Sequence, residues 1–199
     1  VTLLEERPAE SVRKAGDAVL ETERLALRPP RFEDARSLAA LASDLRIAQN
    51  TTRIPHPYTL ADAETFIASA DTEDETVFII TLRDGTIIGA AGIAKLDGQT
   101  PELGYWLGTQ FWGQGYATEA ARAVIDHGFT DLGLDVLHSG ARISNPASRR
   151  VLEKCGFQWT GVGLYRIRAI ASSAPIDRFR LDRGIWASLK SWGKPKRKV

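Results

Sequence analysis

Between Val77 and Gly108 the apolar residues abandon helical spacing and fall into three short strand-like runs: VFIITL over Val77–Leu82, a return over Thr86–Leu96, and ELGYWLG over Glu102–Gly108. Asp84-Gly85 and Asp97-Gly98 stand at the two joins. Asp-Gly supplies the positive φ that a tight hairpin turn needs. Three consecutive strands so joined predict an antiparallel meander, which any fold for this chain must accommodate.

The flanks read differently. Glu21–Arg28 (ETERLALR) alternates as a strand and stops at Pro29-Pro30. From Arg31 to Asn50, Phe32, Ala35, Leu38, Ala39, Ala42, Leu45 and Ile47 form a helical stripe. After Ile54-Pro55-His56-Pro57 a second helix is expected, capped by Thr59 with Asp62 three positions on and burying Phe66 and Ile67. Beyond the meander, an alanine-rich helix with Ala117, Ala120, Ala121, Val124 and Gly128 on one face follows Gly113-Gln114-Gly115. It must cross over so that the next strand, Leu134–Ile143, lies parallel to residues 102–107. A helix opened by Asn145-Pro146 and closed by Gly156 comes next, then strands over Phe157–Leu164 and Ile176–Leu181. The reading is α/β (α+β): one domain over 21–186, an N-terminal extension over 1–20, and a basic flexible tail over 187–199.

Composition narrows the class. A hydrophobic fraction of 43% with 26% charged residues suits a globular chain, and no apolar run reaches membrane-spanning length. VTLLEERPAES is too charged for a signal peptide. The single cysteine, Cys155, excludes an intrachain disulfide and fits a reducing, cytoplasmic setting. A net charge of +1 offers nucleic acid no global attraction, and the basic ending KSWGKPKRKV reads as a solvated tail.

Gly113 and Gly115 stand where they cost the most backbone entropy. A tight turn explains them; so does a backbone stripped of side chains so that an anion can approach a helix N-terminus. A dinucleotide fingerprint would need glycine where Thr118 stands, and a P-loop would need Gly-Lys-Ser/Thr, which the chain lacks. In NPASRRVLEKCGFQWTG, helix-capping roles account for Asn145, Pro146 and Gly156 but leave Ser148, an early-helix hydroxyl, unexplained. Cys155 reads as a core residue, since no histidine partner is evident. His56, His127 and His138 lack metal-ligand spacing, so no metal is expected. The acidic run Asp71–Glu75 reads as a solvated loop, with attraction of cationic ligands as the second reading. Tyr105, Trp106 and Phe111 read as core and site wall.

In order and spacing, ETERLALRP, ELGYWLG, FWGQGYATEA and NPASRRVLEKCGF resemble the GNAT superfamily of acyl-CoA-dependent N-acetyltransferases, over about residues 21–183. The likeness is greatest to the Rim-type branch that acetylates ribosomal-protein N-termini. The resemblance implies a mixed, mostly antiparallel sheet of about seven strands, splayed between the fourth and fifth. It implies acetyl-CoA as cofactor, with backbone N–H groups of Trp112, Gly113, Gln114, Gly115, Tyr116 and Ala117 on the diphosphate and the Thr118 hydroxyl nearby. Trp112 stands where the superfamily has Gln or Arg, leaving the backbone as that position's contribution. Main-chain groups of Tyr105, Trp106 and Leu107 would bond pantetheine, with Asn145 and Ser148 near the arm and sulfur.

Acetyl transfer needs a neutral amine, a polarised thioester and a proton for the leaving thiolate. An α-amine of pKa about 8 is roughly a tenth neutral at pH 7, whereas lysine is far less so. Glu102 is the candidate base, with a solvated strand-end carboxylate as the plain alternative. Ser148 is the candidate proton or hydrogen-bond donor to the thiolate, with Tyr165 in reserve. The acceptor is expected to be a peptide N-terminal amine, ahead of a small amine such as a polyamine or aminoglycoside. The alternative from another class is a non-catalytic acyl-CoA sensor, and the resemblance admits a homodimer.

Overall fold

The computed structural model describes residues 18–72, 75–95 and 100–192. The Asp97-Gly98 turn, most of the N-terminal extension and the last seven residues lie outside that range. Strands β1 (Leu20–Glu21) and β2 (Leu25–Arg28) lead to helices α1 (Ala35–Ala42), α2 (Leu45–Ala48) and α3 (Leu60–Ser69). Strands β3 (Asp71–Thr72), β4 (Glu75–Leu82), β5 (Ile87–Ala94) and β6 (Glu102–Leu107) follow. Helix α4 (Tyr116–Thr130), β7 (Val136–Arg142), α5 (Pro146–Lys154), β8 (Gln158–Ile167), β9 (Ser172–Asp182) and α6 (Arg183–Trp192) complete the chain.

The strands form one sheet in the order β1-β2-β4-β5-β6-β7-β9-β8, with β3 on β4. Every pairing is antiparallel except β6 with β7, as the crossover through α4 requires. Among the described residues the sheet holds nine strands, two of them, β1 and β3, only two residues long, where about seven were expected. β4 is apolar on both faces because both are covered. Phe78 and Ile80 pack with Val124 and Phe129 of α4, while Ile79 between them packs with Leu38 of α1 and Ile67 of α3.

Three expectations change. The strand read through Glu21–Arg28 bends between β1 and β2, where the Thr22 N–H bonds the Leu25 carbonyl at 3.0 Å. The helix read through Arg31–Asn50 is a 3-10 turn followed by α1 and α2, because the Asp44 side chain caps a new start by accepting from the Arg46 N–H; Phe32 and Leu45 are consequently exposed. The tail expected from 187 begins as helix: α6 runs to Trp192, anchored where Trp186 stacks on Phe129 at 5.2 Å and donates to Asp126 at 2.7 Å.

One ion pair fastens β2 to the α1 side. Asp34, 2% exposed, takes Arg28 Nη1 and Nη2 at 2.8 and 2.7 Å and the Arg31 N–H at 2.8 Å. Asp34→Asn leaves the guanidinium without its charge partner in a poorly hydrated site. A loss of about 2 kcal/mol is expected, measurable by urea unfolding; an unchanged midpoint would show the pair contributes nothing net.

Candidate active site

β6 and β7 meet at one residue pair, Glu102 opposite His138, and then diverge. The His138 N–H bonds the Pro101 carbonyl at 2.8 Å, and Ser139 Oγ reaches the Leu103 carbonyl at 2.9 Å. Beyond that point the strands open into a cleft of about 850 Å³. Along β6 the backbone groups alternate sides. Gly108 N–H pairs with Ile88 of β5, while Leu103 turns toward β7; Tyr105 and Leu107 therefore present their main chain to the gap and Trp106 to β5. This corrects the main-chain role expected of Trp106 toward the gap; the residue lines the cleft, as its reading as site wall implied. Leu107 offers only its N–H, because Trp112 Nε1 takes its carbonyl at 2.8 Å.

The far end of the cleft is the loop before α4. Gly113 and Gly115 hold φ of +76° and +85°, a region that side-chain-bearing residues rarely adopt. The glycines are thus needed for the turn itself. Among the described residues, none of the N–H groups of Gly113, Gln114, Gly115, Tyr116, Ala117 and Thr118 donates to a protein acceptor; the first α4 bond runs from Glu119 to the Gly115 carbonyl at 3.1 Å. Trp112, Gly113, Gly115, Ala117 and Thr118 line the cleft, but the Trp112 N–H, expected to join the others on the diphosphate, already donates to the Thr109 carbonyl at 3.3 Å. The side chains of Gln114 and Tyr116 do not: Gln114 Nε2 bonds the Gln110 carbonyl at 3.1 Å, and Tyr116 packs against the core beneath Arg24.

At the start of α5, Asn145 caps the helix by accepting from the Ser148 N–H at 3.2 Å. Ser148 Oγ lies 2.9 Å from Tyr105 Oη, which also donates to the Ser148 carbonyl at 3.2 Å. Burial raises the phenol's pKa above its ordinary value, against the opposing effect of the Ser148 hydrogen bond. Tyr105 thus keeps its proton and ties β6 to α5 across the gap. The sequence assigned it a main-chain role and a place in the site wall but no side-chain partner, because nothing local says a strand residue will meet a helix 43 positions later.

Glu102 sits where this cleft abuts a second one of about 800 Å³, walled by Tyr58, Phe66, Trp106, Arg53 and Arg168. Glu102, Gly104, Tyr105 and Trp106 border both. Although Glu102 keeps open surface, the protein packed around its carboxyl group raises its pKa by desolvation, with Arg53 opposing. Arg46, Arg150, Lys154 and Arg178 make the first cleft basic apart from Glu102. The sequence reading passed over all four, which are spread from α2 to β9; only the spacing of Arg150 and Lys154 along one helix hinted at a shared face. Tyr165 lines the first cleft, as does His138. Cys155 is buried, and desolvation pushes its thiol up to about 11, so it is a protonated core group. The buried His127 pairs with Asp131 at 2.7 Å.

The acetyltransferase (GNAT) domain matches residues 24–158. The chain belongs to the GNAT acetyltransferase family. Membership carries the family's chemistry, acetyl transfer from acetyl-CoA. An uncharacterized N-acetyltransferase of Bacillus licheniformis, p20, is 32% identical over 149 residues, spanning 72% of this chain and 84% of the relative. The fold is shared with Mycobacterium smegmatis RimJ, solved in complex with CoA-disulfide (TM-score 0.76, 19% identity, 90% of this chain and 96% of that one). It is shared also with Vibrio cholerae spermidine N-acetyltransferase, solved with CoA and spermine (TM-score 0.71, 19% identity, 83% and 98%).

Proposed function

We propose that the chain acetylates a primary amine by direct transfer in a ternary complex, with acetyl-CoA in the cleft between β6 and β7 and the amine in the second cleft. The observation that carries this reading is the strand they share: Glu102, Gly104, Tyr105 and Trp106 border both spaces, so a thioester on one side and a nucleophile on the other meet at the same residues. The unpartnered amides from Gly113 to Thr118 hold the diphosphate. The open main chain of Tyr105 and the N–H of Leu107 take the pantetheine arm.

In the reaction, Glu102 accepts a proton from the amine, directly or through water. The amine nitrogen then attacks the thioester carbonyl carbon, and main-chain N–H groups of β6 stabilise the oxyanion. When the carbon–sulfur bond breaks, the proton shed by the new amide nitrogen goes to the departing thiolate, which the Ser148 hydroxyl, accepting from Tyr105 Oη, hydrogen-bonds. Ser148→Ala is expected to lower kcat about tenfold with coenzyme affinity within about twofold; equal losses in both would reassign Ser148 to binding.

The acceptor we propose is a peptide N-terminal amine. A polycation would need several free carboxylates, yet besides Glu102 the described lining of the second cleft offers only Glu75, paired with Arg53, and Asp62, engaged by Thr59 of its own helix cap. The deciding assay follows thiol release from acetyl-CoA across N-terminal peptides, polyamines and aminoglycosides. Turnover with peptides supports the proposal, and a preference for polyamines moves the acceptor to small amines. Silence across the panel with coenzyme binding intact points to an acyl-CoA sensor.

A further inference from the structure

Arg24 stands in the bend between β1 and β2, outside the cleft and behind the loop that opens α4. Its Nη1 donates to the Gln114 carbonyl at 2.9 Å and its Nε to Glu119 Oε2 at 2.7 Å. The guanidinium packs over the Tyr116 ring, 4.6 Å from its centre. Glu119, in the first turn of α4, also accepts from Thr22 Oγ1 at 2.6 Å and from the Arg24 N–H at 2.8 Å. The Thr-Glu-Arg segment thereby grips the loop through a carboxylate, a ring and a carbonyl together.

The carbonyl decides what this grip does. A trans peptide is planar, so its C=O and the following N–H point in opposite directions. Holding the Gln114 carbonyl toward Arg24 turns the Gly115 N–H the other way, toward the cleft that Gly115 lines and Arg24 does not. A peptide next to glycine rotates at little steric cost, so this orientation needs an external restraint.

We propose that Arg24 is a positioning residue for the coenzyme: through the Gln114–Gly115 peptide it aims an amide at the diphosphate, and Glu119 and Thr22 hold it in place to do so. The proposal rests on the loop being the diphosphate seat, which a separate measurement addresses. In wild-type protein labelled with nitrogen-15, coenzyme A is expected to shift the amide resonances of Gly113–Thr118; unmoved resonances would remove the seat and the proposal with it. With the seat in place, Arg24→Met is expected to weaken coenzyme A binding about tenfold by calorimetry. Binding of pantetheine, which lacks the diphosphate, should change by no more than about twofold by ligand-detected NMR. Glu119→Gln should give a smaller loss, and the double variant should bind no worse than Arg24→Met, because Glu119 acts through Arg24. Wild-type affinity in Arg24→Met, or equal losses for coenzyme A and pantetheine, would overturn the assignment. Should Arg24→Met fail to fold, Arg24→Lys decides. Lysine keeps the charge but lacks the fork that spans Glu119 and Gln114; a several-fold loss supports the role and unchanged affinity ends it.

Discussion

Glu102→Gln is expected to lower kcat/KM for amine acetylation about a hundredfold while coenzyme affinity stays within about twofold. Glutamine preserves the shape at the head of β6 and removes only the ability to accept a proton. The pH dependence gives the sign. Burial raises the carboxyl group's pKa above the ordinary glutamate range, so the wild-type rate should climb with pH through a limb lying above that range, and the variant should lack this limb. Stability moves the opposite way. A carboxyl group with a raised folded pKa binds its proton more tightly folded than unfolded, so its contribution is complete below the unfolded pKa and is lost as pH rises through the folded one. At neutral pH the ionised Glu102 therefore weighs against folding, and Glu102→Gln should melt at or above the wild-type temperature, with the difference shrinking as pH falls. An unchanged rate would remove Glu102 from proton transfer; a large fall in melting temperature would make it a structural ion-pair member beside Arg53.

Gly115→Val is expected to weaken coenzyme A binding at least about a hundredfold. The physical route differs from simple coverage of an anion seat. At φ +85° a β-branched residue is strained, and a Cβ there would stand 3.3 Å from Arg24 Nη2 on the back of the loop. Valine must therefore either push the guanidinium away or turn the peptide, and in both cases the amides from Gly113 to Thr118 lose their common aim. Charge-assisted bonds are the strong ones, so losing their alignment costs more than losing one neutral contact. Gly113→Ala supplies the contrast: its φ of +76° is also strained, but a Cβ there meets nothing within 4 Å, so a smaller loss should follow. Calorimetry of both variants separates the cases, and wild-type affinity in Gly115→Val would take the diphosphate away from this loop.

Much of the fold was legible because its signals are local. The Asp84-Gly85 turn, the Thr59 cap with Asp62, and the glycines before α4 act within a few residues of themselves, and each appears where the sequence places it. The helix through Arg31–Asn50 failed for the same reason in reverse. Its apolar period was satisfied, but Asp44 offered the chain a competing cap that a periodicity cannot weigh.

The candidate site divides along similar lines. The residues at its two glycine- and serine-bearing corners carry recognisable spacing. The residues that join those corners do not, because they bond across the fold: Tyr105 to Ser148, Trp112 back to Leu107, Arg24 to Gln114 and Glu119. Such partners are 43, 5, 90 and 95 positions apart, and only the short one lies within reach of a motif.

From the order of its amino acids alone, this protein owes its strands, its helix starts, its family and the pair of glycines that shape the turn before α4, since these depend on steric preferences and hydrogen bonds between near neighbours. What the three-dimensional packing settled was direction. The divergence of β6 from β7, the placing of Glu102 between two clefts and the turning of the Gly115 amide all depend on groups brought together by burial of the sheet. No local preference carries that information, because an amide or a carboxylate acquires its aim only from what is packed behind it.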